Sequence, residues 1–442
     1  MSAPLRSRVS TSAGWRALLA RGTASPASAT LAIYTFLLLS RLPELFSFIG
    51  VFRPIILLAL ATIALAWALP RARIQAVLAA PESRAVLAIF ALALASIPTS
   101  HWPGESFRAA VFNFPKTLVF FFLLLYCIRG LRELRYLVWA FVGSVAALEL
   151  GVLLFNVQER VRITGTYDPN DLAFVMVCTL PMAIMLLMVE RGPRRYAMIP
   201  IVLLGLVTII MTKSRGGFIT LIVVGAIVLA KLPARIALLR SGLVIGGILV
   251  FSLFAPQSYW ERITTIWGGA EGVQDGYVKE GFSPRWDLWM TGIRLMLENP
   301  ILGVGVNAFA VAESGQTFGR GTFAAHNSFT QIGAELGIFG LALFVYLLYR
   351  TIRNYRTVIR VARSVPQLRY HLWTAHGLET GAYGYIVAGA ALNHAYSNIL
   401  YYLLAMSVVL KWVTQRDRAR LNKSEGQESG PVHPLPWWKV PR

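Results

Sequence analysis

Apolar runs close to 20 residues alternate with short polar stretches along nearly the whole chain. The hydrocarbon core of a bilayer is about 30 Å thick, which an α-helix crosses in about 20 residues. The runs are continuous rather than alternating, so they predict helical spans and not barrel strands. About twelve helices are expected, over residues 27–48, 51–69, 84–100, 113–128, 134–156, 170–189, 197–212, 217–230, 236–255, 327–349, 378–393 and 397–413. The fold class is therefore an all-α polytopic membrane protein with a large external loop before the last three helices. Residues 1–442 read as one integral membrane domain. Within it, 256–326 form the loop, and 424–442 read as a flexible tail.

The composition agrees: 56% of residues are hydrophobic and 14% charged, against about 25% charged in soluble domains. Mean hydropathy is +0.58. The net charge of +21 would suggest nucleic acid in a soluble protein, but here it follows topology. With the N-terminus in the cytoplasm, every second loop is basic, as the positive-inside rule requires. Those loops carry Arg71, Arg73 and Arg84; Arg129, Arg132 and Arg135; Arg191, Arg194 and Arg195; Lys231, Arg235 and Arg240; and the series Arg350 to Arg369. Both termini are then cytoplasmic. No cleavable signal peptide is expected, because no short apolar core with a small-residue cleavage site follows Arg6 to Arg21 directly. Cys127 and Cys178 sit in apolar runs and read as small buried hydrophobes.

The other face keeps cations that the topology rule disfavours: Arg160, Arg162, Lys213, Arg215, Arg285 and Arg320. Binding an anion is a natural reason for arginines there. Lys213 and Arg215 stand between two apolar helices with Gly216 and Gly217 behind them, where backbone N–H groups can approach a phosphate. The plainer reading is a tight hairpin with snorkelling ends. Arg285 opens a helical pattern, residues 284–297, with apolar positions Leu288, Trp289, Ile293, Met296 and Leu297, stopped by Pro300. An amphipathic helix lying over the membrane face is expected, and an interfacial arginine beside an aromatic belt is the alternative role for Arg285. Gly303 to Asn307 predict a turn with close backbone approach. In the turn at 162–171, Asp168 or Asn170 can serve as an N-cap, though capping suits Thr166 and Asp171 better, while Arg162 and Asn170 are the better candidates for ligand contact. His326 stands at a helix mouth beside Asn327 and Ser328, a candidate proton acceptor or a cap. His394, near the outer end of the next-to-last helix, is its competitor. Glu335, one turn inside the helix that follows His326, pairs with an arginine or hydrogen-bonds in the bundle. No metal-ligand spacing and no Walker loop are present, so neither metal nor cofactor is expected.

Four segments carry a resemblance: 165–173 (GTYDPNDLA), 214–217 (SRGG), the run 285–309 ending in NPILGVGVNAF, and 326–340 (HNSFTQIGAELGIFG). Taken in this order they resemble the O-antigen ligase and O-antigen polymerase family of bacterial envelope enzymes. The charged turn around Asp168 departs from many relatives and leaves the role of that residue open. The resemblance implies a glycosyltransferase of the bacterial inner membrane with a periplasmic active site. Its donor would be a glycan on undecaprenyl diphosphate, and its acceptor a hydroxyl of lipid A-core or of a growing glycan. It implies that Arg215 and Arg285 hold the donor diphosphate and that His326 acts near the acceptor hydroxyl. Polymerisation, protein glycosylation, and transport of an anionic lipid-linked substrate stay open as alternatives. The expected partners are the lipid-linked donor, the acceptor and membrane lipids, with no nucleic acid.

Overall fold

The computed structural model describes residues 24–155, 167–254, 282–314 and 324–428. Arg162, Arg320, about half of the 256–326 loop and the end of the expected tail lie outside them. The described residues are all-helical, with no strand among them. The principal helices are α1 (Pro26–Ser40), α2 (Pro54–Ala66), α3 (Ala72–Ala79), α4 (Pro81–Ala95), α5 (Phe114–Cys127), α6 (Leu131–Phe155), α7 (Pro169–Leu186) and α8 (Met198–Met211). Then follow α9 (Arg215–Lys231), α10 (Ala237–Phe254), α11 (Phe282–Glu298), α12 (Phe309–Ser314), α13 (Ser328–Arg363), α14 (Arg369–Gly389) and α15 (Asn398–Glu428).

Five helices among the described residues are long and apolar enough to cross a membrane, or six if α3 and α4, bent by 71° at their junction, count as one span. The twelve expected runs all reappear as helices, but several do not qualify as full spans. Proline is one reason: Pro43 and Pro54 divide the first two runs, so α1 has 15 residues and α2 13, short of the roughly 20 needed. Buried polar groups are another. α14 holds His371, His376 and Glu379 inside the protein, which interrupts its apolar run. The arginine-rich stretch after Tyr349 is not a loop. α13 continues to Arg363, because Thr351, Asn354, Tyr355, Val358, Ile359 and Ala362 are buried at helical spacing and arginine is a good helix former.

α7 and α14 form the centre. They approach closely at Gly381, where a Cβ would lie 2.2 Å from the carbonyl oxygen of Cys178. Around them pack buried aromatics, among them Tyr385 edge-on to Phe174 and Tyr402 stacked on Phe141 at 4.3 Å.

Polar contacts between loops sort into two groups, one at each end of the helices. At one end, Ser214 Oγ donates to Asn170 Oδ1 (2.9 Å), the Asn327 amide to Asn393 Oδ1 (3.2 Å), Thr117 Oγ1 to Asn398 Oδ1 (3.0 Å) and the His101 amide to Val304 O (2.9 Å). At the other end lie ion pairs of Arg135 with Glu190, Arg350 with Glu82 and Lys231 with Glu379, at 3.0, 2.8 and 2.6 Å. Arg416 joins Asp417 and the carbonyl of Arg129 there as well. A helix such as α7, 18 residues long, separates the two ends by about 27 Å.

α13 is broken about two and a half turns from its start. Gly337 adopts φ +71°, ψ −169°, and the segment after α11 fills the break. Val304 and Gly305 donate their amides to Ala334 and Glu335 carbonyls (2.8 and 3.1 Å), and Ile338 donates to Pro300 O (2.8 Å). The close approach expected of the glycines is real: a Cβ on Gly303 would sit 2.3 Å from the Glu335 carbonyl carbon, and one on Gly337 2.4 Å from Pro300 O. The same segment is held from behind by Ser106 Oγ, which donates to Val306 O at 2.8 Å.

α11 is the amphipathic helix expected, but with a different buried face. Leu288, Gly292 and Leu295 point inward, while Trp286, Met290, Ile293 and Leu297 are exposed. The inward face packs on α13, while the exposed face mixes these apolar side chains with Asp287, Arg294 and Glu298. Gly303→Ala and Gly337→Ala should each destabilise the folded protein by about 2 kcal/mol or more, from positive φ and backbone clash together. Gly225→Ala, where a Cβ meets nothing within 4 Å, should be neutral or mildly stabilising. Thermal unfolding in detergent checks this, and equal shifts for all three variants would refute the clasp.

Candidate functional site

Three helices begin at the same face, each with its own N-cap. Asp168 caps α7, its Oδ1 accepting from the Asn170 and Asp171 amides (2.6 and 2.8 Å). Ser214 caps α9, accepting from the Gly217 amide at 3.2 Å. Asn327 caps α13, accepting from Phe329 and Thr330 amides at 2.8 and 3.3 Å. Capping in the α7 turn therefore falls to Asp168 and not to Asp171, because Asp168 holds the extended conformation (φ −69°, ψ 167°) that a cap requires. Thr166 lies outside the described residues.

The starts of α7 and α9 are locked side by side. Ser214 Oγ bridges to Asn170, and Gly217 lets α9 approach so near that a Cβ there would be 2.6 Å from Ala173 Cβ. Lys213, buried, turns the chain into α9 with φ +52°. Between these helix starts, the first turn of α11 and the end of α14 is a cleft lined by Asn170, Ser214, Arg215, Gly216, Arg285 and Ala391, with Phe174, Gly217, Ala388 and Leu392 completing its wall. It brings together Arg215 and Arg285, which are 70 residues apart in sequence. The positive ends of two helix dipoles point the same way, so charge and dipole both favour an anion. The cleft holds about 20 Å³, room for about one water. A larger anion therefore needs the side chains at its mouth to turn aside.

His326 does not line this cleft. It stands next to it with φ +47°, in the left-handed region that histidine enters more readily than most residues. Its carbonyl accepts from Trp289 Nε1 at 3.3 Å, one turn along α11 from Arg285. Ser328 Oγ donates to Leu392 O (2.6 Å) and accepts from the His394 amide (2.9 Å), so the 326–328 and 392–394 corners are tied together. His394 stacks on Phe174, a cleft residue, at 3.9 Å and 13°. Its Nε2 lies 3.0 Å from Asp171 Oδ1. The distance suits an ion pair when the ring is protonated, although the approach is off the line of a good hydrogen bond. Asp171 in this role was not legible in the sequence, and neither were the wall residues Ala388, Ala391 and Leu392, whose proximity only the fold creates. Among the described residues no three His, Cys, Asp or Glu side chains gather as a metal site requires.

Residues 200–345 match the family model described as O-Antigen ligase. Over that segment the chain is similar to the O-antigen ligase family. The match spans Lys213, Arg215, Arg285, His326 and Asn327, and leaves Arg162, Asn170 and His394 outside it. No curated protein matches the chain. The match implies a membrane glycosyltransferase of the O-antigen ligase or polymerase kind, consistent with the multi-pass helical fold.

A Cβ on Gly216 would lie 3.9 Å from Ala391 Cβ, inside the range of about 3.5–4.5 Å that a disulfide needs. Gly216→Cys with Ala391→Cys, in a background with Cys127 and Cys178 replaced by alanine, should lose both free thiols on mild oxidation. Thiol counting by mass after alkylation checks it. Two persistent free thiols in the folded protein would mean that the cleft wall is wrongly drawn.

Proposed function

We propose that the protein transfers a glycan from undecaprenyl diphosphate to an acceptor hydroxyl at the periplasmic face of the bacterial inner membrane, as an O-antigen ligase acting on lipid A-core. The observation that carries this reading is the meeting of Arg215 and Arg285 in one cleft at two helix N-termini. In the reaction the acceptor oxygen bonds to the anomeric carbon. The bond from that carbon to the diphosphate oxygen breaks, the diphosphate leaves with the electron pair, and a base takes the hydroxyl proton. Fixed guanidinium groups stabilise the charge developing on the leaving diphosphate, and Lys213, behind Arg215 in the same turn, adds positive potential. Asn170 is already engaged by Ser214 and holds the cleft floor. Asn327 caps α13 and so sets the position of His326.

His326 is the proposed base for the acceptor hydroxyl. A second reading is favoured by one specific observation: His394 is flanked by Asp171 and stacked against the cleft wall, the arrangement of an oriented base.

Arg215→Ala and Arg285→Ala should each lower transfer by about a hundredfold or more, and Arg→Lys should recover only part, because it restores charge without the paired geometry. His326→Ala should lower turnover by about two to four powers of ten while donor binding survives. Purified protein with a lipid-linked donor and lipid A-core, assayed beside thermal stability, checks each. Normal turnover by folded His326→Ala together with a collapse in His394→Ala would move the base to His394. Full activity of both Arg→Ala variants would sink the diphosphate site.

Sidedness has its own test. Thr99, exposed on the cleft side, when changed to Cys should react with an impermeant thiol reagent in intact spheroplasts. Arg194→Cys should react only after lysis. The reverse pattern would place the cleft in the cytoplasm and overturn the reading.

A further inference from the structure

At the face opposite the cleft, a second and larger cavity opens between the start of α6 and the short helix Pro193–Tyr196. It is lined by Arg132, Arg135, Tyr136, Trp139 and Arg194, with a volume of about 420 Å³. We propose that this cavity binds the phosphate of an anionic lipid headgroup from the leaflet at that face.

Three observations converge on it. First, the arginines are placed against the local field. Arg132 and Arg135 stand in the first turns of α6, where the helix dipole is already positive and a cation is disfavoured. Topology alone asks only for basic residues somewhere in the loop, which Arg191 and Arg195, both exposed, satisfy without forming a cavity. Second, Arg135 is held in place. Its guanidinium is paired to Glu190 at 3.0 and 3.2 Å and lies 5.0 Å over the ring of Tyr370. Arg132 and Arg194 line the same cavity beside it, so three guanidinium groups converge on one space. Third, the wall is amphipathic. Tyr136 and Trp139 supply aromatic surface of the kind found at the headgroup level. On α8, just after Arg194, Ile199 and Leu203 are exposed and continue the apolar surface toward the bilayer centre, where an acyl chain can lie. A free phosphate would use the arginines but not that surface. The volume admits a headgroup, and the inference is independent of the transferase reading because it concerns the other end of the bundle.

Purified full-length protein is exchanged into phosphatidylcholine micelles doped with phosphatidylglycerol, and retained lipid is counted by native mass spectrometry. Preferential retention of phosphatidylglycerol is expected. Arg132→Gln and Arg194→Gln should each weaken it about fivefold, and together about thirtyfold, as expected for basic residues near an anionic surface. Phosphatidylcholine retention should not change. Trp139→Leu should weaken retention less than either arginine change. Inorganic phosphate at the same concentration should not displace the lipid. Displacement would show that the site takes the free anion and would overturn the lipid assignment. So would undiminished phosphatidylglycerol retention in a double variant with native thermal stability. Should the double variant fail to fold, Arg194→Gln alone decides: the residue is exposed on a single short turn, and unchanged retention there would refute the proposal.

Discussion

The position of Arg285 at the cleft face depends on how the break in α13 is filled. A helix interrupted inside a membrane leaves backbone groups that no water can satisfy, at a cost of several kcal/mol each. Here the chain itself supplies the missing partners: Val304 and Gly305 donate to the carbonyls of Ala334 and Glu335, and Ile338 donates to Pro300. That exchange fixes the end of α11 against α13. Because α11 is a single rigid rod from Phe282 to Glu298, fixing its end sets where Arg285 stands over the starts of α7 and α9. Broken helices in transporters leave backbone groups turned to a substrate or ion. In α13 those groups are consumed by a neighbouring loop, which argues for a static platform rather than a moving gate.

The platform concentrates positive potential without relying on side chains alone. α7, α9 and α13 all start at this face, and their caps Asp168, Ser214 and Asn327 use the amides of the first turn. The opposite face handles charge differently. There Arg135, Arg350, Arg356 and Arg416 sit against Glu190, Glu82, Glu379 and Asp417. Pairs of this kind, partly buried, fix helix positions more than they add stability. The two ends of the bundle thus use arginine for different purposes: one end for joining helices, the other for converging on a cleft.

Much of this was legible in the sequence. Period and length gave the helices. The glycines at 303 and 305 announced a close approach, and two of the arginines singled out by loop charge, Arg215 and Arg285, meet in one cleft. What escaped has a common cause. The buried face of α11 is chosen by Gly292 and its neighbours on α13, not by hydrophobicity, since Ile293 and Leu297 are more apolar than Gly292 and yet face outward. α13 outran its apolar run because its extension buries a stripe between arginines, a pattern that a hydropathy window averages away. Asp171 read as a cap because spacing alone cannot distinguish a carboxylate serving its own helix from one facing His394, 223 residues later. Each miss is a choice made by tertiary contact between positions that look equivalent locally.

The size of the cleft bears on how such a site works. It has room for about one water, yet its walls are of two kinds. The helix starts are immobile, held by the Ser214–Asn170 bond and by the contact of Gly217 with Ala173. The rest of the lining that closes it consists of long or rotatable side chains, Arg215, Arg285 and Leu392, over the small residues Gly216, Ala388 and Ala391. An arrangement of that kind opens by side-chain rotation, at a cost on the order of 1 kcal/mol for each rotamer, without moving a helix. On the proposed reading, a diphosphate entering it would replace the arginines' water with its own acceptor oxygens while the helix starts stay where they are. Arg215 and Arg285 would then turn aside to admit the anion and close on it against a floor that does not move.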